Sequence, residues 1–261
     1  MSYNPEAVKK MFDEIAGQED QLEKRHFLRN EIPREFIKKY IKSTDIALDA
    51  GGGTAINAIM MARLCKRVTL VDISPKILEQ AAKNVKETGL AERIDLIEGD
   101  ITNLEKFRNA EFSFVVCVGG AIPHALSESR QVMKELVRVA QKGTMLLIGC
   151  DSKYGLMRHF LRHEDDLLSE VLEMYETNEF LNNGVVNAHL YTVTEMRELV
   201  QEAGCEIMEL ASTPTIINSL DESKYHDEKK WEELKALEFR VCTVPELLGI
   251  GSHLLCVARK I

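Results

Sequence analysis

Three carboxylates and a glycine turn supply the chemistry that this sequence can do. In Leu48-Asp49-Ala50-Gly51-Gly52-Gly53-Thr54-Ala55 an apolar run meets three glycines and then a helix-like stretch. Such a turn lets a ligand approach the backbone closely, with amide N–H groups at the helix start facing it. Asp72 closes a second apolar run, 19 residues after Gly53. A carboxylate at that place can accept from both hydroxyls of a ribose. Asp100, in Glu98-Gly99-Asp100-Ile101, follows a third run. An acid there can accept from an exocyclic adenine amine while the next backbone N–H donates to the ring. Loop caps and first-turn helix acids are the competing reading of the three aspartates; their order along the chain makes nucleoside binding the preferred one. The turn fails as a dinucleotide fingerprint, because reading Gly51-x-Gly53 puts Ile56 at the third position. A nicotinamide-linked oxidoreductase is therefore the weaker alternative.

The elements that must position these groups alternate. Short apolar runs at 46–48, 68–71, 94–97, 112–118 and 144–148 read as strands. Helical stretches separate them at 55–64, 75–88 (Ser74 as N-cap, Gly89 at its end) and 128–140. Strands that alternate with helices, and that are apolar throughout, imply a parallel sheet covered on both faces. All three acids then fall at carboxyl ends of adjacent strands, where open α/β sheets bind ligands. Residues 4–42 read as two helices, the second opened by Pro33. After Cys150 the rhythm breaks: residues 151–190 look mostly helical, with a loop at Asn182-Asn183-Gly184. A helix near 194–203, a glycine stop at Gly204 and strands at 206–210 and 253–258 complete the pattern, with a polar helix at about 227–239 between those strands.

This arrangement resembles the class I, Rossmann-like S-adenosylmethionine-dependent methyltransferases, most closely over residues 44–150. Asp49-Ala50-Gly51-Gly52-Gly53 is similar to the family's first motif, Val71-Asp72-Ile73 to its second and Gly99-Asp100-Ile101 to its third. The resemblance implies a doubly wound α/β fold: a mostly parallel seven-stranded sheet of order 3-2-1-4-5-7-6 with the last strand antiparallel, N-terminal helices, and a helical insertion after strand five. It implies one methyltransferase domain over 1–261, divided into an N-terminal helical lid (1–43), a cofactor-binding core (44–150), a substrate cap (151–190) and the rest of the sheet (191–261). It also implies S-adenosyl-L-methionine as cofactor. Gly51 and Gly53 would face the methionine part, Asp72 the ribose, Asp100 and Ile101 the adenine, and Cys117 and Val118 the sulfonium side. Two positions depart from the family pattern: Ala55 replaces the third glycine, and Ser113 stands where an acid is common.

Methyl transfer from a sulfonium is an in-line displacement that relies mainly on alignment. A base is needed only for a nucleophile that is protonated at working pH. His124, just past strand four in Gly119-Gly120-Ala121-Ile122-Pro123-His124, is the candidate, since histidine titrates near neutrality. A ring that only shapes the pocket is the preferred reading of its role. Arg158, His159, Arg162 and His163 fall on one helix face and could grip a carboxylate or phosphate, although pairing with Glu164, Asp165 and Asp166 is preferred. A metal held by His159 and His163 is disfavoured, for want of a third ligand in register. His189 and Tyr191 are expected near the same pocket. Tyr3, Phe12 and Asp13 of the first helix are expected to close over the cofactor.

The rest bounds the class. A net charge of −9 weighs against nucleic acid as partner. No apolar run is long enough for a membrane span, and Met1-Ser2-Tyr3-Asn4-Pro5-Glu6 is no basic-then-apolar leader. The six cysteines form no CxxC pair, as in a reducing compartment. A cytoplasmic enzyme with a small-molecule methyl acceptor is the expectation, without a metal. A non-catalytic S-adenosylmethionine-binding module is the other alternative. Neither the acceptor nor the oligomeric state is encoded in any motif.

Overall fold

The computed structural model describes residues 2–17, 27–163, 167–182, 186–217 and 227–261, with the backbone alone for 27–29, 163 and 182. Two helices lead, α1 (Pro5–Ile15) and α2 (Phe27–Tyr40). The core follows as β1 (Ile46–Ala50), α3 (Ile56–Leu64), β2 (Arg67–Asp72), α4 (Pro75–Thr88), β3 (Ile94–Glu98), β4 (Phe112–Cys117), the short α5 (Ala121–His124), α6 (Ser129–Val139) and β5 (Ala140–Asp151). Then come α7 (Lys153–His163), α8 (Leu168–Thr177), β6 (Glu179–Asn182), β7 (Val186–His189), α9 (Val193–Glu202), β8 (Cys205–Thr213), α10 (Glu228–Val241) and β9 (His253–Lys260).

Seven strands form one sheet in the order β3-β2-β1-β4-β5-β9-β8. Pairing is parallel from β3 to β5, and β9 runs antiparallel to both β5 and β8. The expected order and the antiparallel last strand are both present. Strand alternation splits the core between the two faces. Leu48, Val115, Cys117 and Leu146 pack with Met133 and Leu136 of α6 and Val200 of α9. Ala47, Phe114, Val116 and Leu147 pack with Ile32 and Phe36 of α2 and Met61 of α3.

Local signals hold where they are strongest. Ser74 caps α4 by accepting the Ile77 N–H, and Thr192 with Glu195 forms a capping box at the start of α9. Three expectations need correction. Pro33 lies inside α2 and does not open it. Burial of Ile32, Phe36 and Ile37 outweighs the hydrogen bond that its ring cannot donate. Strand five runs on to Asp151, because its far end pairs in full with β9. The insertion is not helical throughout: β6 and β7 pair as an antiparallel hairpin. The proposed loop residues Asn183 and Gly184 lie outside the described residues, as do Glu164, Asp165, Asp166 and the side chain of His163.

Candidate active site

One cavity of about 480 Å³ opens over the carboxyl ends of the strands. Its wall at the tips of β1 and β2 is braced by backbone. The N–H groups of Gly51 and Gly52 both donate to Val71 O (2.8 and 3.2 Å), which ties the glycine turn to the tip of β2. Gly51 and Gly53 adopt φ of +70° and +57°, the left-handed region that favours glycine. A Cβ on Gly51 would stand 2.5 Å from that of Ala121, and one on Gly52 2.5 Å from Leu70 Cγ. Ala55 carries the same positive φ (+72°) at the helix start. The family's third glycine therefore has a conformational reason, and alanine bears it with some strain.

The acids are fixed by this backbone. Asp72 Oδ2 accepts the Gly53 N–H and Oδ1 the Ser74 N–H, each at 3.0 Å. Burial pushes its carboxyl above the ordinary range, and the two N–H donors hold it back. Asp100 accepts the Thr102 N–H (2.8 Å) on one oxygen and the Tyr3 hydroxyl (2.9 Å) on the other. Burial and the Asp100 charge push the Tyr3 phenol far up, so it remains a donor.

Helix α1 lies across the opening. Tyr3, Val8, Phe12 and Ile15 line the cavity. Asp13 Oδ1 accepts from Ser74 Oγ at 2.6 Å, latching the helix to the start of α4. Phe12 meets the His124 ring edge-on at 5.5 Å. His124 is buried, with Nδ1 3.2 Å from Asn187 O of the hairpin. Burial lowers its pKa, against the pull of the Asp151 charge, so the ring is neutral at physiological pH.

Of the residues singled out in the sequence, Gly51, Gly53, Asp72, Ile73, Asp100, Ile101, Val118 and His124 all line the cavity. Asp49, Ala50 and Cys117 lie beneath it, at 1% exposure or less. A Cβ on Gly52 would come 2.9 Å from Asp49 Cγ, so Asp49 supports the turn from below. Alternation along β4 turns Cys117 into the α6-side core, where burial drives its thiol up, and leaves Val118 on the cavity. His189 and Tyr191 are not in the lining: they pack edge-on against each other at 4.6 Å, and His189 faces Glu195 at 3.6 Å. Arg158, His159 and Arg162 are likewise outside it; Arg158 Nη2 donates to Thr215 O at 3.5 Å.

Sequence reasoning missed Asp151, Thr213 and His253, which line the far end of the cavity. Asp151 had the available signal: an acid at a strand's carboxyl end, like Asp72 and Asp100. Ending the strand at residue 148 hid it.

The residues present fit an adenosyl ligand. A side-chain-free turn, a carboxylate held at the tip of β2 and a second at the tip of β3 share one cavity wall. Comparison with known proteins agrees. Residues 47–143 match the family model described as a methyltransferase domain. The tRNA 5-carboxymethoxyuridine methyltransferase of Escherichia coli O157:H7 is 22% identical over 222 residues, 82% of this chain and 79% of that protein. Among solved structures, Burkholderia thailandensis 1,6-didemethyltoxoflavin-N1-methyltransferase, with its acceptor and S-adenosylhomocysteine bound, superposes with a TM-score of 0.63. It is 14% identical and the match covers 97% of this chain and 87% of that one. The (4+2)-cyclase SpnF gives a TM-score of 0.66 at 17% identity, covering 100% and 97% of the two chains. A glycine turn and two strand-tip acids in the family's order, on the family's sheet, under a matching domain model, make the 47–143 core a methyltransferase domain of the class I, Rossmann-like, S-adenosylmethionine-dependent kind.

Proposed function

We propose that the chain moves the methyl group of S-adenosyl-L-methionine to an O, N, S or C nucleophile of a small molecule, in the cytoplasm. Asp72 binds the ribose, Asp100 and the Ile101 N–H the adenine, and the Gly51–Gly53 turn the methionine part. Asp49 and Ala50 brace that turn and Cys117 backs Val118 at the sulfonium end. Bound there, the cofactor supplies a methyl already activated by its positive sulfur. Residues 1–43 act as lid and 151–190 as acceptor cap. His124, kept neutral by burial, contacts the acceptor from the β4 side.

The observation that carries this reading is the charge of the cavity lining. Asp72, Asp100 and Asp151 line it, and among the described lining residues there is no lysine or arginine. A polyanion needs cations at its phosphates, whereas a neutral or cationic small acceptor does not. All six cysteines are buried and unpaired, which supports a reducing compartment. Among the described residues no helix is long and apolar enough to cross a membrane.

Likeness to a tRNA methyltransferase favours a second reading, with RNA as acceptor. Tritiated methyl donor, incubated with the chain and separate small-molecule and RNA fractions, decides between them. Label in the small-molecule fraction is expected; label in RNA alone would reverse the assignment. A melting shift with S-adenosylhomocysteine and none with NAD is expected. Donor binding without methyl release to any fraction would mark a non-catalytic module.

A further inference from the structure

The tips of β5, β8 and β9 carry a second polar cluster, which nucleoside binding does not use. Asp151 closes β5, His253 opens β9 opposite it in register, and Thr213 closes β8 opposite His253. His253 Nδ1 lies 2.8 Å from Asp151 Oδ1, with the two side chains 8% and 9% exposed. Thr213 is fully buried, and its Oγ1 has no hydrogen-bond partner among the described residues. All three residues line the cavity. A buried hydroxyl in that state is a standing cost that a polar ligand atom would relieve.

A carboxylate beside Nδ1 fixes the histidine tautomer, with the hydrogen on Nδ1 and the lone pair on Nε2. It also stabilises the imidazolium that forms when Nε2 takes a proton. We propose that His253, oriented by Asp151, removes the proton of the methyl acceptor and that Thr213 hydrogen-bonds the acceptor, whose class is a neutral X–H nucleophile: a phenol, an enol or a heterocyclic N–H. This rests on the methyl-transfer reading above. The electron pair of the X–H bond stays on X and forms the bond to carbon, the C–S pair returns to sulfur, and the sulfonium becomes a thioether. The proton rides on His253 Nε2, balanced by Asp151, and leaves to water with the product. A carboxylate or phosphate ester is already ionised at neutral pH and has no use for such a base.

Other titratable groups stand near the pair. His124 feels the Asp151 charge. Cys150, next in the chain, is held protonated by burial and by that same charge. Lys153 directs its Nζ to Tyr175 O and Asn178 Oδ1.

The test uses the intact chain, tritiated S-adenosylmethionine and a panel of 2-naphthol, catechol, indole and 4-hydroxyquinoline, with benzoate, phenyl phosphate and bulk tRNA as contrasts. Label is expected in a phenol or N–H compound. His253→Gln should lower kcat about 100-fold at neutral pH, with KM within about threefold. That gap should close as pH rises past the acceptor's own pKa. In carbon-13 NMR of labelled histidine rings, the resonance missing from His253→Gln should titrate at lower pH in Asp151→Asn. Asp151→Asn is the milder variant and carries the test alone if His253→Gln does not fold. Equal kcat in His253→Gln, a loss that pH does not alter, an unmoved resonance in Asp151→Asn, or label only in benzoate, phenyl phosphate or tRNA overturns the proposal. Failure of the wild-type chain to bind S-adenosylhomocysteine in calorimetry would instead overturn the donor site on which it rests.

Discussion

The tips of β1, β2 and β3 and those of β5, β8 and β9 line the same cavity by different means. On the first side backbone does the positioning. Two glycine N–H groups meet the Val71 carbonyl, and Asp72 is clamped by two more N–H groups. On the second side the polar groups are side chains placed opposite one another by strand register, with the Asp151–His253 pair at its centre. A wall whose carboxylates are locked by backbone N–H groups suits one fixed ligand, because the turn itself sets where those acids stand. A wall made of side chains can be exchanged residue by residue. The superposition on a cyclase and on a methyltransferase fits that division, since one fold carries unrelated reactions.

The largest effect should come from breaking the backbone-built side. Asp72→Ala removes the proposed ribose contact, and with it about 3 kcal/mol or roughly 100-fold in S-adenosylhomocysteine affinity. It also strands the Gly53 and Ser74 N–H groups, at about 2 kcal/mol of stability in urea unfolding. Calorimetry on the folded variant separates the two losses: affinity at the wild-type level would mean that Asp72 only braces the turn.

Next in size is Glu238 of α10, which is fully buried. Its carboxylate accepts from the N–H groups of Thr215, Ile216 and Ile217, the stretch that follows Thr213. Glu238→Ala removes the acceptor that the three N–H groups share and should cost about 3 kcal/mol. Because the damage lies behind β8, S-adenosylhomocysteine affinity should stay within about threefold of wild type. A loss as large as that from Asp72→Ala would show that the two sides do not act separately.

A smaller change sharpens the contrast. Thr213→Val keeps the shape of the side chain and removes the unpartnered hydroxyl. Stability should rise by about 1 kcal/mol in urea unfolding, since the desolvation cost of that one hydroxyl is gone. A fall in stability would show that the hydroxyl is already satisfied in the folded chain.

The two sides also differed in how far the sequence disclosed them. Asp72 closes β2 and Asp100 follows β3 by two residues, and these strands are consecutive in the chain and neighbours in the sheet, so spacing along the chain reports their spatial order. Asp151, Thr213 and His253 come from three separated stretches that meet only through the antiparallel pairing of β9 with β5 and β8. No local pattern encodes that meeting. The β6–β7 hairpin was missed for a related reason. Its strands are four residues each, too short for alternation to stand out against the neighbouring helices α7 and α8. Cys117 shows the opposite limit: its place in the chain was right, but which face of β4 it takes depends on what packs there.

The smallest expected effect concerns acid. Burial lowers the pKa of His124, so the folded chain holds the neutral ring in preference to the charged one. The stability from this preference is complete above the unfolded value of about 6.5 and is lost as pH falls through the depressed folded value. His189, also lowered by burial, acts in the same direction, on the hairpin. Unfolding free energy should therefore fall from neutral pH towards pH 5, and His124→Asn should make that fall shallower while His189 retains the rest. Urea titrations at several pH values between 5 and 7.5 measure the slope. An identical slope in His124→Asn would mean that the ring titrates as freely in the folded chain as in the unfolded one, which its burial between Phe12 and the hairpin carbonyl of Asn187 forbids.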